Sequence, residues 1–374
     1  MDKFDDIRPF GDNEIPDILK RLSKNELLIS TLRIIRWPNC PEILHGPANF
    51  FVKLALLIKF KQIKTINDFQ VNVIAMLLDW VLSHSSKGLT YSGIEHLDKD
   101  KSCIFISNHR DIALDPAFLN YTLHANGHQV PYIAFGDNLL MNELVSDLIR
   151  VNKAFIVKRD LPRREQLKAW KHLSAYIVHI LEEGNHFWIA QRQGRAKDGI
   201  DETNPAIIKM FYLSKRKTEP DFSAFIKSCN IVPVAISYEN DPCDRIKAWE
   251  IFRMRKRGKH KKRKNEDLIS MAAGISGDKG RIHVALGKPL TDDYKNEKEV
   301  ASAIDRIIHQ EYRLWPNNYV AYDLIHPEKK YQDLYTDDDK KQFLDRYSNL
   351  TDKVKKIVFE IYANPVLSRE GKFS

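Results

Sequence analysis

Cysteine is scarce in this chain, with four in 374 residues, at Cys40, Cys103, Cys229 and Cys243. None forms a CxxC pair and no His/Cys cluster has zinc spacing, which excludes a zinc site or a dithiol redox pair read from sequence. Reduced thiols in a cytosolic compartment are the simplest reading. Long apolar runs are also missing. The longest near the start, NFFVKLALLIKF and VNVIAMLLDWVL, fall short of the roughly 20 residues that span a bilayer. Lys53, Lys59 and Asp79 interrupt or flank them. They read as core helices, with helices lying in a membrane interface as the second reading. The opening MDKFDDIRPF is acidic and has no apolar heart, so no secretory signal is expected. There is no internal repeat, no P-loop and no G-x-S-x-G elbow for an acyl-enzyme serine.

One acid-free stretch concentrates the positive charge. From Arg253 to Lys264 the chain reads RMRKRGKHKKRK, with nine Lys or Arg, against a formal net charge of +9 for the whole protein. Without that run the protein is formally neutral. Such a block binds an anionic lipid surface, an acidic carrier protein or nucleic acid, or is a solvated loop that binds nothing. No aromatic platform or recognition-helix pattern accompanies it, which ranks nucleic acid last.

With 43% hydrophobic and 29% charged residues, the composition is that of a globular chain with a sizeable core. Residues 1–88 show apolar positions at helical spacing and predict an N-terminal helical domain. From residue 89 the rhythm changes. CIFIS, YIAF, AFIV, HFWIA, IVPVAIS and IHVAL predict buried strands that alternate with amphipathic helices. The clearest such helix runs from Arg163 to Glu183, with Gly184 as its C-cap. The pattern predicts an α/β fold, a layered core of a mixed sheet flanked by helices, over 89–325. A C-terminal helical extension is expected over 326–374, including one helix around Lys340 to Ile361.

Function in open α/β sheets collects where strands hand over to loops. Four strand exits are unusual here. FISNHRDIALDPAF ends an apolar run on His109, with Asp111 and Asp115 following. A carboxylate beside a histidine can orient the imidazole as a general base; equally, Asp115 can be a helix N-cap and His109 an ordinary loop residue. The HRD triplet is not a kinase catalytic loop, because Pro116 stands where the asparagine is needed and no DFG follows. AFIVKRD ends on Lys158 and Arg159, which suit a phosphate or a solvated loop. HFWIAQRQGRAKDG places Gly194 and Gly199 around Arg195 and Lys197. In IVPVAIS, Pro233 marks an edge, a strand start or a bulge.

Taken in order, these four blocks resemble the glycerolipid acyltransferase superfamily, which includes glycerol-3-phosphate and 1-acylglycerol-3-phosphate (lysophosphatidate) acyltransferases. The resemblance covers about residues 89–290 and is strongest at 104–118. It implies phospholipid biosynthesis, with acyl-CoA or acyl-carrier protein as co-substrate and no metal or organic cofactor. It implies His109 as the base that deprotonates an acceptor hydroxyl, with Asp115 orienting it. Arg159 would hold the acceptor phosphate, Gln193, Gly194 and Arg195 would form the acceptor-binding turn, and Pro233 would shape the acyl channel. It also implies a cytoplasmic protein, peripheral on the inner membrane leaflet, with the 253–264 run meeting anionic membrane. The chain departs from the family pattern twice. Five residues separate His109 from Asp115 rather than four, which keeps Asp111 as the fallback partner. Gln193 stands where the family's turn usually carries Glu, which favours a second reading, a catalytically degenerate lipid- or membrane-binding protein of the same fold.

Overall fold

A computed structural model describes residues 3–37, 39–140, 143–159, 161–258 and 266–372. The second half of the basic run, from Lys259 on, lies outside the described residues. Among those described, the strands are β1 (Leu89–Ser92), β2 (Ile104–Ser107), β3 (Tyr132–Gly136), β4 (Ala154–Val157), β5 (Phe187–Ala190), β6 (Ile231–Tyr238) and β7 (Ile282–Leu286). Six of them are the apolar runs expected from sequence. β1 is not, since its LTYS is mostly exposed and takes its place from parallel pairing with β7.

The chain divides into two units, residues 1–77 with 132–169, and residues 78–131 with 170–374. The expected 1–88 helical segment is thus divided: residues 78–88 fall in the second unit, and residues 1–77 share the first with a second stretch of chain. There, α1 (Ile15–Leu22), α2 (Glu26–Arg36) and α3 (His45–Lys61) precede the parallel pair β3 and β4. Ile15, Leu19 and Leu22 of α1 form one cluster with Phe60, Ile63, Phe69, Leu144 and Val151. The apolar face of α1 needs those later residues to be covered, and the Arg21–Asp147 ion pair at 2.6 Å ties the two stretches together.

The first apolar run at the start is not a core helix, and the second buries one narrow face, Leu78 and Val81. In α3 only Phe60 is buried, while Phe50, Phe51, Leu54, Leu57 and Ile58 are exposed, as are Met76, Leu77 and Trp80 of the second run. With the 3-10 turn Glu42–Leu44 that leads into α3, the helical stretch is 20 residues, long and apolar enough to cross a membrane by length and composition.

The second unit holds the order β1-β7-β6-β2-β5. β2 runs parallel to both β5 and β6, while β6 and β7 are antiparallel, so the sheet is mixed. Strands β2, β6 and β7 are buried along their whole length, as expected for strands covered on both faces. Pro233 sits third in a central strand, not at an edge. The antiparallel ladder to β7 begins only at Val234, and the Pro233 carbonyl accepts from Gly287 N at 2.8 Å. A residue's N–H and C=O point the same way in a strand, so the missing donor faces the side where that ladder has not started.

Around the sheet lie α4 (Leu114–Ala125), α5 (Arg163–Glu182), α6 (Asp244–Arg257), α7 (Glu266–Ser276), α8 (Pro316–Ile325), α9 (Asp337–Arg346) and α10 (Asp352–Arg369). α5 ends as expected, with Gly184 at φ +77°. The single helix expected over 340–361 is two, α9 and α10, split at Tyr347–Thr351. Residues of α8, α9 and α10 share one hydrophobic cluster with Ala248 and Ile251 of α6, so the C-terminal extension packs within the second unit.

Candidate active site

β2 delivers His109 to the carboxyl end of the sheet, one residue past the buried Asn108. The Asn108 amide is pinned to β6, accepting from Ile236 N at 2.8 Å and donating to Ile236 O at 3.1 Å. The backbone then folds around one carboxylate. Asp115 Oδ2 accepts from Arg110 N at 2.6 Å and Asp111 N at 2.9 Å, and lies 3.0 Å from His109 Nδ1. Its other oxygen accepts from the Tyr238 hydroxyl at 2.8 Å. Asp115 is fully buried, and four donors meet its charge, which is what a buried carboxylate requires. Tyr238, the last residue of β6, is missed by sequence reasoning. Its only signal is a tyrosine ending an otherwise apolar strand.

Asp115 is not the expected N-cap. It is the second residue of α4, and the helix start is served by Asp111, whose Oδ1 accepts from Ala113 N at 2.9 Å and Leu114 N at 2.8 Å. The fifth residue between His109 and Asp115 is thus absorbed by a turn that Asp111 caps. Asp111 is itself buried, and burial, together with the Asp115 charge, raises its carboxyl above the usual range. The close fit continues at Gly274 of α7, where a Cβ would stand 2.0 Å from Asp111 Oδ2.

The His109 side chain is 13% exposed and meets Trp188 edge to face, with ring centroids 6.0 Å apart. With Nδ1 turned to a carboxylate, the proton belongs on Nδ1 and the Nε2 lone pair is available to take another. Arg110 is a structural cation. Its guanidinium is buried, pairs with Asp201 at 2.6 Å and lies over the Tyr312 ring at 5.2 Å.

The turn after β5 docks beside the histidine, with Ala196 N donating to His109 O at 2.8 Å. Gln193 and Gly194 are exposed at its tip, and Gly194 takes the left-handed conformation at φ +79°, which suits a residue without Cβ. Arg195 reaches Ser270 of α7. Lys197 pairs with buried Glu250 at 2.5 Å. Arg192, Arg195 and Lys197, with Glu250, Met254 and Arg255 of α6, line a cavity of about 270 Å³. Cations outnumber acids there, as an anionic group needs. The described half of the basic run therefore supplies the end of α6, and one of its arginines faces this cavity.

Arg159 lies in the first unit. Its backbone N donates to Asp137 at 3.2 Å and its guanidinium to Asn138 at 3.3 Å, and Gly136 leaves it room, since a Cβ there would stand 2.5 Å from the guanidinium carbon. Among the described residues no group of three or more His, Cys, Asp or Glu is arranged to hold a metal ion.

Residues 88–237 match the family profile Acyltransferase. The chain is 25% identical over 205 residues to a dihydroxyacetone phosphate acyltransferase of Mus musculus, covering 53% of this chain and 28% of that protein. It is 24% identical over 291 residues to the Bos taurus protein of the same name, covering 74% and 37%. The chain thus spans about a third of the length of these relatives. Among solved structures it is similar to the 1-acyl-sn-glycerophosphate acyltransferase of Thermotoga maritima, with 13% identity, a TM-score of 0.36, and coverage of 79% of this chain and 91% of that one.

Proposed function

This chain belongs to the glycerolipid acyltransferase superfamily through residues 88–237, and on that premise we propose that it moves a fatty acyl group from an acyl thioester to a hydroxyl of a phosphorylated three-carbon acceptor. The observation that carries this reading is the His109–Asp115 contact at 3.0 Å, made by a buried carboxylate that three further donors hold in place. His109 Nε2 takes the acceptor's hydroxyl proton as the oxygen attacks the thioester carbonyl. The C–S bond then breaks, and the imidazolium returns the proton to the leaving thiolate. Asp115 keeps the ring in the needed tautomer and stabilises its charged form. A base so placed contributes roughly 10²–10⁴-fold. No covalent acyl-enzyme and no cofactor enters the scheme.

Arg195, with Gln193 and Gly194, forms the acceptor turn, and the cationic cavity beside it supports a phosphate there. Arg159, in the first unit, is proposed by itself as a phosphate-binding residue. Glycerol 3-phosphate, lysophosphatidate and dihydroxyacetone phosphate are the acceptors of choice, and acyl-CoA or acyl-carrier protein the donor. The enzyme works on the cytoplasmic side at an anionic membrane surface, which the 253–264 run attracts.

The test is acyl transfer to the three acceptors by the wild type and His109→Ala. A loss of about 10³-fold or more is expected, and equal rates would sink the base assignment. A wild type that binds lipid but transfers nothing across a panel of donors would make the chain an acyltransferase-fold binding protein, the reading that Gln193 favours.

A further inference from the structure

We propose that Lys247 is a positioning residue for the dyad, its ammonium locking the peptide that holds Asp115 against His109. The inference rests on the acyl-transfer reading above and adds a residue that serves it without touching substrate. Lysine is almost never fully buried unless it is paired. Lys247 of α6 is fully buried. Its Nζ donates to Asp241 Oδ2 at 2.5 Å and to the Arg110 carbonyl at 2.8 Å. That carbonyl and the Asp111 N–H are the two ends of one planar amide. The N–H donates to Asp115 Oδ2 at 2.9 Å, the oxygen that lies 3.0 Å from His109 Nδ1. One peptide is therefore held at its oxygen by a cation and at its nitrogen by the dyad's anion.

The amide cannot turn without breaking a charge-assisted bond at one end or the other, so the loop that aims Asp115 is fixed. The ammonium also draws electron density to the carbonyl. That makes the N–H a stronger donor, because hydrogen bonds in series polarise one another. Lys247 thus works on the imidazole through an amide and a carboxylate.

Stability alone is a weak reason for this pair. A buried ion pair returns little more than its desolvation costs, and an apolar pair of like volume would serve the core as well. Placement on the His109 turn gives the charge a use that an apolar pair lacks. The surroundings aim it there. Asp241 follows β6, and its Oδ1 accepts from Cys243 N at 2.8 Å while its N–H donates to the Tyr362 hydroxyl at 2.8 Å. Tyr362 belongs to α10 and donates to buried Asp244 at 2.9 Å. The C-terminal helices therefore bear on the dyad through Tyr362, Asp241 and Lys247. Lys279 is the other fully buried lysine among the described residues. It donates to Ser85 Oγ at 2.7 Å, Ile275 O at 3.0 Å and Gly277 O at 2.7 Å, none of them in the His109 turn, and it supplies the comparison.

The test combines steady-state acyl transfer, thermal unfolding and amide NMR spectra of the full chain, isotope-labelled at aspartate, with Asp111→Asn identifying the Asp111 signal. Lys247→Met alone would leave Asp241 as a buried unpaired charge, so it is made together with Asp241→Asn, which keeps an oxygen for Cys243 N. Lys247→Met with Asp241→Leu, an all-apolar pair, is the second form. The double variant should fold and lower kcat about 10- to 100-fold, as a slightly displaced base does. Its KM should stay within about twofold, since the lost interaction is not with substrate. Its Asp111 amide proton should move upfield as the bond to Asp115 weakens. Lys279→Met should lower the unfolding temperature and keep kcat within about threefold. The inference is overturned if the double variant turns over like the wild type, if its loss is in KM, or if the Asp111 signal stays in place. It is also overturned if Lys279→Met costs as much in kcat, or if both forms of the double variant fail to fold, which would make the pair structural. A wild type that transfers no acyl group would end the acyl-transfer reading and this inference with it. An active wild type, an inactive His109→Ala and a fully active double variant would end this inference alone.

Discussion

The Tyr238 hydroxyl donates to Asp115 Oδ1 at 2.8 Å while Asp115 Oδ2 lies 3.0 Å from His109 Nδ1. A phenol at the end of β6 therefore acts on the imidazole through the carboxylate. Burial and the Asp115 charge keep the phenol protonated, well above its ordinary range, so it remains a donor at any working pH. Removing the hydroxyl leaves one buried carboxylate oxygen unmet. Tyr238→Phe is expected to lower turnover about tenfold and to cost about 1–3 kcal/mol of stability. A variant that loses stability but keeps wild-type turnover in steady-state assays would reduce Tyr238 to packing.

Asp111 and Asp115 should separate cleanly. Asp115→Asn puts an amide where a carboxylate holds His109, and turnover should fall by about 10³-fold or more, as when a triad carboxylate is neutralised. Asp111→Asn keeps an oxygen that can accept from Ala113 N and Leu114 N, and it removes a charge that burial disfavours. Its turnover should stay within about threefold and its stability within about 1 kcal/mol. Steady-state rates and thermal unfolding of the two variants decide the matter, and a reversed order would make Asp111 the partner.

His283 gives the fold an acid sensitivity away from the site. Burial and nearby Arg313 lower its imidazole to about 4, while its ring nitrogens meet Thr90 Oγ1 at 2.8 Å and Ser92 Oγ at 3.1 Å, joining β7 to β1. The unfolded chain takes up this proton near pH 6.5 and the folded one only near 4. The stabilisation is thus complete above about pH 6.5 and is lost as pH falls from there to about 4, by at most about 3 kcal/mol. Wild type should lose more stability than His283→Gln between pH 7 and pH 5 in denaturant titrations. Parallel curves would exclude His283 as the cause.

Much of this was legible from residue order. Period-two and period-3.6 patterns are local, so six strands, α5 and its Gly184 cap follow from the chain alone. So does the cluster of chemistry at the exits of β2 and β5, because His109, Arg195 and the glycines of that turn are close in sequence to the apolar runs that carry them. Other features depend on partners distant in sequence. Whether an apolar helix is core or surface depends on what packs against it, and α3 buries only Phe60. Whether Asp111 or Asp115 holds His109 depended on backbone amides curling around a single carboxylate and on a phenol 123 residues away. The sequence by itself determined which side chains could do the chemistry, since the kinds of donor and acceptor belong to residue type. Only the tertiary structure decided which of them meet, because hydrogen bonds are short and directional and must be closed by groups that folding brings in from other strands.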